Sequence, residues 1–305
     1  MDTSINNANN SRSKNDVGNR VKTSGIPYSK MLFYCIALFI LYVILYIPIF
    51  LDMIHLAMSE NGDNSHCLLV PIISAFFAWK KRKDISWQKI TQENYGAIIL
   101  ALSLILYIIG YAGSVETLPR LTMISTLIGL VIYNLGTITF KALAFPLVFL
   151  IFMIPLPTSI IAIVAFPLQL LATKVSTFII ATLSIPVFRE GNILYLPNTS
   201  LEVAEACSGI RSLAAYLMIG SLLAYLMDAS RKRKAILLIL TIPLAFFANL
   251  IRVTTTGILA YFFGKKLAMG FLHEFSGVVL YIFGFIILYL ICLFLEKTFI
   301  KKSGL

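Results

Sequence analysis

Eight residues, EACSGIRS (Glu205–Ser212), put a carboxylate, a thiol, a hydroxyl and a guanidinium directly before the apolar run LAAYLMIGSLLAYLM. Ser208 and Gly209 suit the start of a helix, where backbone N–H groups lack intrahelical acceptors. A thiol at that place, Cys207, feels the positive end of the helix, which favours thiolate, the nucleophilic form. Arg252 is the second residue of note, because a cation within an apolar run costs about 2.5–3.5 kcal/mol at the bilayer centre and usually faces protein or water. Asn249 lies one turn before it and Thr254, Thr255 and Thr256 follow, a set that suits an aqueous, protein-lined pocket better than lipid. The third is His273, with Glu274 beside it and Gly277 a turn later. Histidine has an ordinary pKa of about 6.5, near working pH, and can act as general acid or base.

Together these groups have a chemical logic. A cysteine paired with histidine can attack a peptide carbonyl and form a thioester, and an arginine can stabilise the oxyanion of the tetrahedral intermediate. Resolution by water makes a protease; resolution by an amine or hydroxyl makes a transpeptidase. Arg211, four residues after Cys207, shares its helical face and could hold the thiolate, bind a substrate carboxylate or pair with Glu205. Cys35 and Cys292 sit in apolar runs as small hydrophobes. No Cys/His spacing suits a metal and no glycine-rich loop suits a phosphate, so neither metal nor cofactor is expected.

The elements that must position these residues are membrane spans. The chain of 305 residues is 59% hydrophobic and 13% charged, against about 25% charged in soluble domains. The net charge of +11 is gathered in short clusters between apolar runs, Lys80–Lys83, Arg231–Lys234 and Lys301–Lys302. Cytoplasmic loops carry such clusters, and no nucleic acid is expected as a partner. The pattern predicts an all-α polytopic membrane protein with about eight spans, near 31–51, 66–79, 95–113, 121–138, 141–155, 208–227, 235–251 and 273–295. Residues 1–29 read as a disordered cytoplasmic tail, 30–298 as one membrane domain and 299–305 as a basic cytoplasmic tail.

The cations also set an orientation, with both termini in the cytoplasm. The N-terminal tail and Lys80–Lys83 lie inside, and Arg231–Lys234 inside puts the start of the preceding span, with Cys207, outside. Arg252, at the end of the following span, and His273, at the start of the last, then fall on the same outer side. Lys265 and Lys266 run against this scheme. Residues 158–188 are apolar enough for another span, which would reverse the sidedness of Cys207. Their interior Pro167, Gln169 and Lys174 suit an interfacial helix lying over the outer face. NILYL and SLEVA, separated by Pro197-Asn198, then read as a short external hairpin or an irregular loop that delivers the chain to Cys207.

Residues 60–295 resemble the exosortase/archaeosortase family of polytopic membrane transpeptidases. The resemblance rests on LEVAEACSGIRSL (201–213), PLAFFANLIRV (243–253) and GFLHEFSGVVLY (270–281) in that order, with weaker support from NSHCLLVPIISAFFAW (64–79) and IPLPTSI (154–160). It implies Cys207 as nucleophile, Arg252 as oxyanion-stabilising arginine and His273 as acid/base, with Glu205, Ser208, Arg211, Asn249 and His66 binding substrate or supporting. It further implies exported partner proteins bearing a C-terminal Pro-Glu-Pro-like motif, a helix and a basic cluster (PEP-CTERM-like), cut and passed to a surface acceptor beside exopolysaccharide export. One departure is Cys67, which follows His66 where the family commonly has glycine and adds a second thiol on the outer side.

Two other readings compete. A transporter would distribute ionisable groups through the membrane depth, whereas here they gather at outer span ends with Lys174 as the main exception. A non-catalytic component of exopolysaccharide export would leave Cys207, Arg252 and His273 unexplained.

Overall fold

The computed structural model describes residues 28–58, 65–85, 92–155, 158–203 and 210–300. Most of the two tails, and Glu205, Cys207 and Ser208, lie outside the described residues. The described residues form nine α-helices and one small sheet. Six helices are long and apolar enough to cross a membrane: Phe33–Met58, Asn94–Ala112, Thr117–Met153, Ile163–Thr182, Arg231–Phe263 and Gly277–Lys297. The chain is a multi-pass membrane protein.

Helices α1 (Tyr28–Met58), α2 (Leu69–Lys81), α3 (Asn94–Ala112) and α4 (Thr117–Phe149) make the first half. Helix α1 is fixed to α4 by hydroxyls that have found acceptors within an apolar interior: Tyr42 donates to the Met123 carbonyl at 3.2 Å, and Tyr46 shares a hydrogen bond with Thr126 at 2.8 Å. Arg120 on α4, 5% exposed, pairs with Asp52 on α1 at 2.7 Å and with Glu116 at 3.1 Å. Helices α3 and α4 lie very close because Gly96 presents no Cβ to Tyr133 and Gly129 none to Leu100, the small-residue contact common between membrane helices.

The expected spans 121–138 and 141–155 are the two parts of α4. They meet at Gly136, whose φ of 80° and ψ of 169° interrupt the helix; such a φ is tolerated because glycine has no Cβ. Glu93, just before α3, caps the new start, accepting the Thr137 N–H at 3.0 Å and the Thr137 hydroxyl. Those hydrogen bonds hold the Glu93 carboxyl below its usual range. Helix α2, of 13 residues, lies within the expected span 66–79 and runs antiparallel to the second part of α4, with the Ser74 hydroxyl on the Pro146 carbonyl at 2.6 Å.

Residues 158–188, read from the sequence as an interfacial helix, are helical over most of their length. They contain helix α5 (Thr158–Thr182), which packs along α7 (Arg231–Phe263) and has the length and composition of a span. Part of its polar side faces protein, since Gln169, Thr173 and Ser176 are buried and the Thr254 hydroxyl of α7 bonds Ser176 at 3.0 Å, while Lys174 is exposed. Ser176 meets Thr254 and Ile180 meets Gly257, so α5 and α7 run parallel and end together.

The expected hairpin is present as β2 (Ile193–Leu196) and β3 (Thr199–Glu202), antiparallel across Pro197-Asn198, and β1 (Phe188–Glu190) adds a third strand. Side chains alternate across the sheet, turning Leu194, Leu196 and Leu201 into a core with Ile180 of α5 and Val253 and Ala260 of α7. The sheet therefore caps the end of the bundle that holds the last turns of α7.

Helices α6 (Ile210–Leu226) and α9 (Phe271–Ile300) flank α7, with the short α8 (Lys265–Met269) joining α7 to α9. Both run antiparallel to α7: Gly220 of α6 meets Thr241, and Arg233 donates to the Leu295 carbonyl of α9 at 3.0 Å. Helices α6 and α9 are thus parallel to each other. The Tyr216 hydroxyl donates to the Leu280 carbonyl at 3.1 Å, and its ring fills the space over Gly284, which any Cβ would block.

Candidate active site

The direction of these three helices makes the site. Because α6 and α9 are parallel, the first turn of α6 lies beside the third turn of α9, Ser212 against Tyr281, and α7 brings Arg252 there from the other direction. The span expected to end at 251 continues three turns further, to Phe263. Arg252 is therefore inside a helix, roughly 30 Å along its axis from Arg231. The extension is held by the sheet and α5, which bury Val253, Thr254 and Ala260.

Arg252 is half-buried and lies against Gly277 of α9. A Cβ at that glycine would stand 3.2 Å from one terminal guanidinium nitrogen and 3.4 Å from Cζ. Beside this contact is a pocket lined by Ser212 and Tyr216 of α6, Asn249 and Arg252 of α7, and Gly277 and Tyr281 of α9. About 10 Å³ of it is open to the centre of a water molecule, which is room for roughly one water. The Tyr281 hydroxyl donates to Ser212 Oγ at 3.2 Å, tying α9 to the first turn of α6. Asn249 is 3% exposed, and its Oδ1 accepts no hydrogen bond among the described residues; the same holds for Thr256 Oγ1 one turn beyond Arg252.

The pocket favours negative charge. The first turn of α6, whose unpaired N–H groups carry about half a positive charge, borders it through Ser212, and the Arg252 guanidinium on its wall carries a full one. A thiolate, an oxyanion or a carboxylate fits that field.

The structure brings Asn249 and Arg252 into one pocket. It puts the backbone of Arg211 second in α6, next to Ser212, and that of His273 third in α9, one turn before Gly277. Glu205, Cys207 and Ser208 fall in the stretch between Val203 and Ile210 that is outside the described residues. His66 is in a 3-10 turn, Ser65–Leu68, that packs on α1 and on the turn Leu150–Met153. There the buried Cys67 keeps a thiol, whose Sγ lies 3.7 Å from the Phe152 carbonyl.

Sequence reading missed Ser212, Tyr216 and Tyr281. The signal for Tyr281 was its spacing, four residues past Gly277 and eight past His273, which puts it on the same helical face.

A small polar pocket enclosed by three helices of an apolar bundle is the candidate site. The family model for the transmembrane exosortase (Exosortase_EpsH) matches residues 56–290, and the chain belongs to that family. No curated protein and no solved structure gives a significant match.

Proposed function

We propose that this protein is a membrane cysteine transpeptidase that cuts the C-terminal sorting signal of exported proteins and passes them to a surface acceptor. The observation that carries the reading is the pocket that Arg252 shares with Ser212, in the first turn of α6, and with Gly277 of α9, the two helices that the family's cysteine and histidine blocks precede or begin. Cys207 stands three residues before α6, where the helix field favours thiolate.

The reaction follows from those roles. The Cys207 thiolate adds to the substrate carbonyl, and Arg252 stabilises the oxyanion formed. Collapse breaks the C–N bond, His273 gives a proton to the departing amine, and a thioester remains on Cys207. An amine, hydroxyl or water then attacks the thioester carbonyl, His273 takes its proton, and the Cys207 thiolate leaves. The positive clusters at Lys80–Lys83 and Arg231–Lys234 support a cytoplasmic position for the opposite end of the bundle, which turns the pocket toward exported substrates.

The experiment expresses native protein, Cys207→Ala and Cys207→Ser with an exported protein ending in motif, helix and basic cluster, and follows its C-terminal processing. Processing should stop in both variants while the protein still accumulates in the membrane. Normal processing by Cys207→Ala ends the proposal.

A further inference from the structure

A buried amide oxygen with no donor costs about 1–3 kcal/mol, so such a group in a native pocket needs a reason. Asn249 Oδ1 is such an oxygen: its side chain is 3% exposed, lines the pocket and receives no hydrogen bond among the described residues. One turn further along α7, Arg252 lines the same pocket with a guanidinium that can only donate. Acceptor and donor are spaced about 4.5 Å along one helix face. In an extended peptide, a residue's own N–H and C=O point to the same side of the strand and make paired hydrogen bonds. The spacing and polarity on α7 match that pair.

Resting on the transpeptidase reading, we propose that Asn249 grips the substrate backbone: its Oδ1 accepts the N–H of the residue whose carbonyl Cys207 attacks, while Arg252 donates to that carbonyl oxygen. The two residues hold one amino acid of the substrate by both of its backbone groups. Asn249 thereby sets which peptide bond stands at the sulfur, without reading side chains.

The test uses full-length protein in liposomes and a synthetic peptide spanning the bond found cut in the Cys207 experiment. A second peptide replaces the N–H in question by an ester oxygen. Native protein should process the ester form with kcat/KM about tenfold lower, the size of one hydrogen bond. Asn249→Ala should be slower on the ordinary peptide and indifferent to the replacement, because the acceptor is gone. An equal penalty in native protein and in Asn249→Ala overturns the grip, as does no penalty in native protein. Should Asn249→Ala fail to fold, Asn249→Asp, which keeps an acceptor oxygen of the same shape, must keep the penalty, and its loss there is equally fatal. If native protein cuts no bond at all, the transpeptidase reading falls and takes the grip with it; if it cuts but the two effects simply add, only the grip falls.

Discussion

Two arginines sit within helices of this protein and are used in opposite ways. Arg120 of α4 has a side chain 6% exposed and is clamped between Asp52 at 2.7 Å and Glu116 at 3.1 Å. Its charge is consumed in joining α1 to α4. Arg252 of α7 rests on a glycine of α9 and forms part of a pocket wall beside the start of α6. A guanidinium closed in by carboxylates is a fastening; one set beside a cavity that a ligand can enter is a tool. The contrast lies in surroundings, since both charges are equally costly to place in an apolar helix.

The sharpest way to break this comparison is to delete each charge and read activity and stability separately. Arg252→Ala should lower the rate of substrate processing by about 10²–10³, the cost of removing one oxyanion donor, with little change in thermal unfolding. Asp52→Asn should do the reverse: stability falls by about 1–3 kcal/mol as the buried Arg120 loses its closest partner, and processing per folded molecule stays intact. A pair of variants that behave alike would erase the distinction. A subtler probe is Gly277→Ala, whose Cβ would crowd the Arg252 guanidinium at 3.2 Å. Processing should drop about tenfold through displacement of the charge, and an unchanged rate would show that the glycine contact does not place it.

The smallest expected effect concerns Glu93, which caps the helix restarting after Gly136. The Thr137 hydroxyl and N–H hold its carboxyl below the usual value. A folded value below the unfolded one means that the stabilisation is fully present above the ordinary carboxylate range near pH ~4.3 and is lost as pH falls through the lowered folded value. Glu93→Gln should therefore flatten the acid side of the curve of unfolding temperature against pH. An identical curve for native and variant protein would remove Glu93 from the account.

Much of this was legible because membrane sequences separate charge from apolar runs so cleanly. Arg252 stood out as a cation amid apolar residues, and Asn249 came with it as a neighbour one turn away. The hairpin showed in the alternation of NILYL and SLEVA around Pro197-Asn198. What stayed hidden depended on partners distant in sequence. Gln169 reads as a polar interruption of 158–188, whereas the packed protein buries it, along with Ser176 against Thr254 of α7. The Arg120–Asp52 pair joins residues in separate helices with no shared motif. Tyr281 was obscured for a simpler reason: with 14 tyrosines in the chain, one more within an apolar helix carries no distinguishing mark.

A last consequence comes from α7 being one continuous helix from Arg231 to Phe263. Its basic beginning and Arg252 are mounted on the same rod, about one hydrocarbon thickness apart. The bilayer may thin or thicken and neighbouring helices may slide, yet the distance between these two marks hardly alters. The protein thus carries its own depth gauge, and the elevation of the guanidinium is set by a count of residues rather than by the lipid around it.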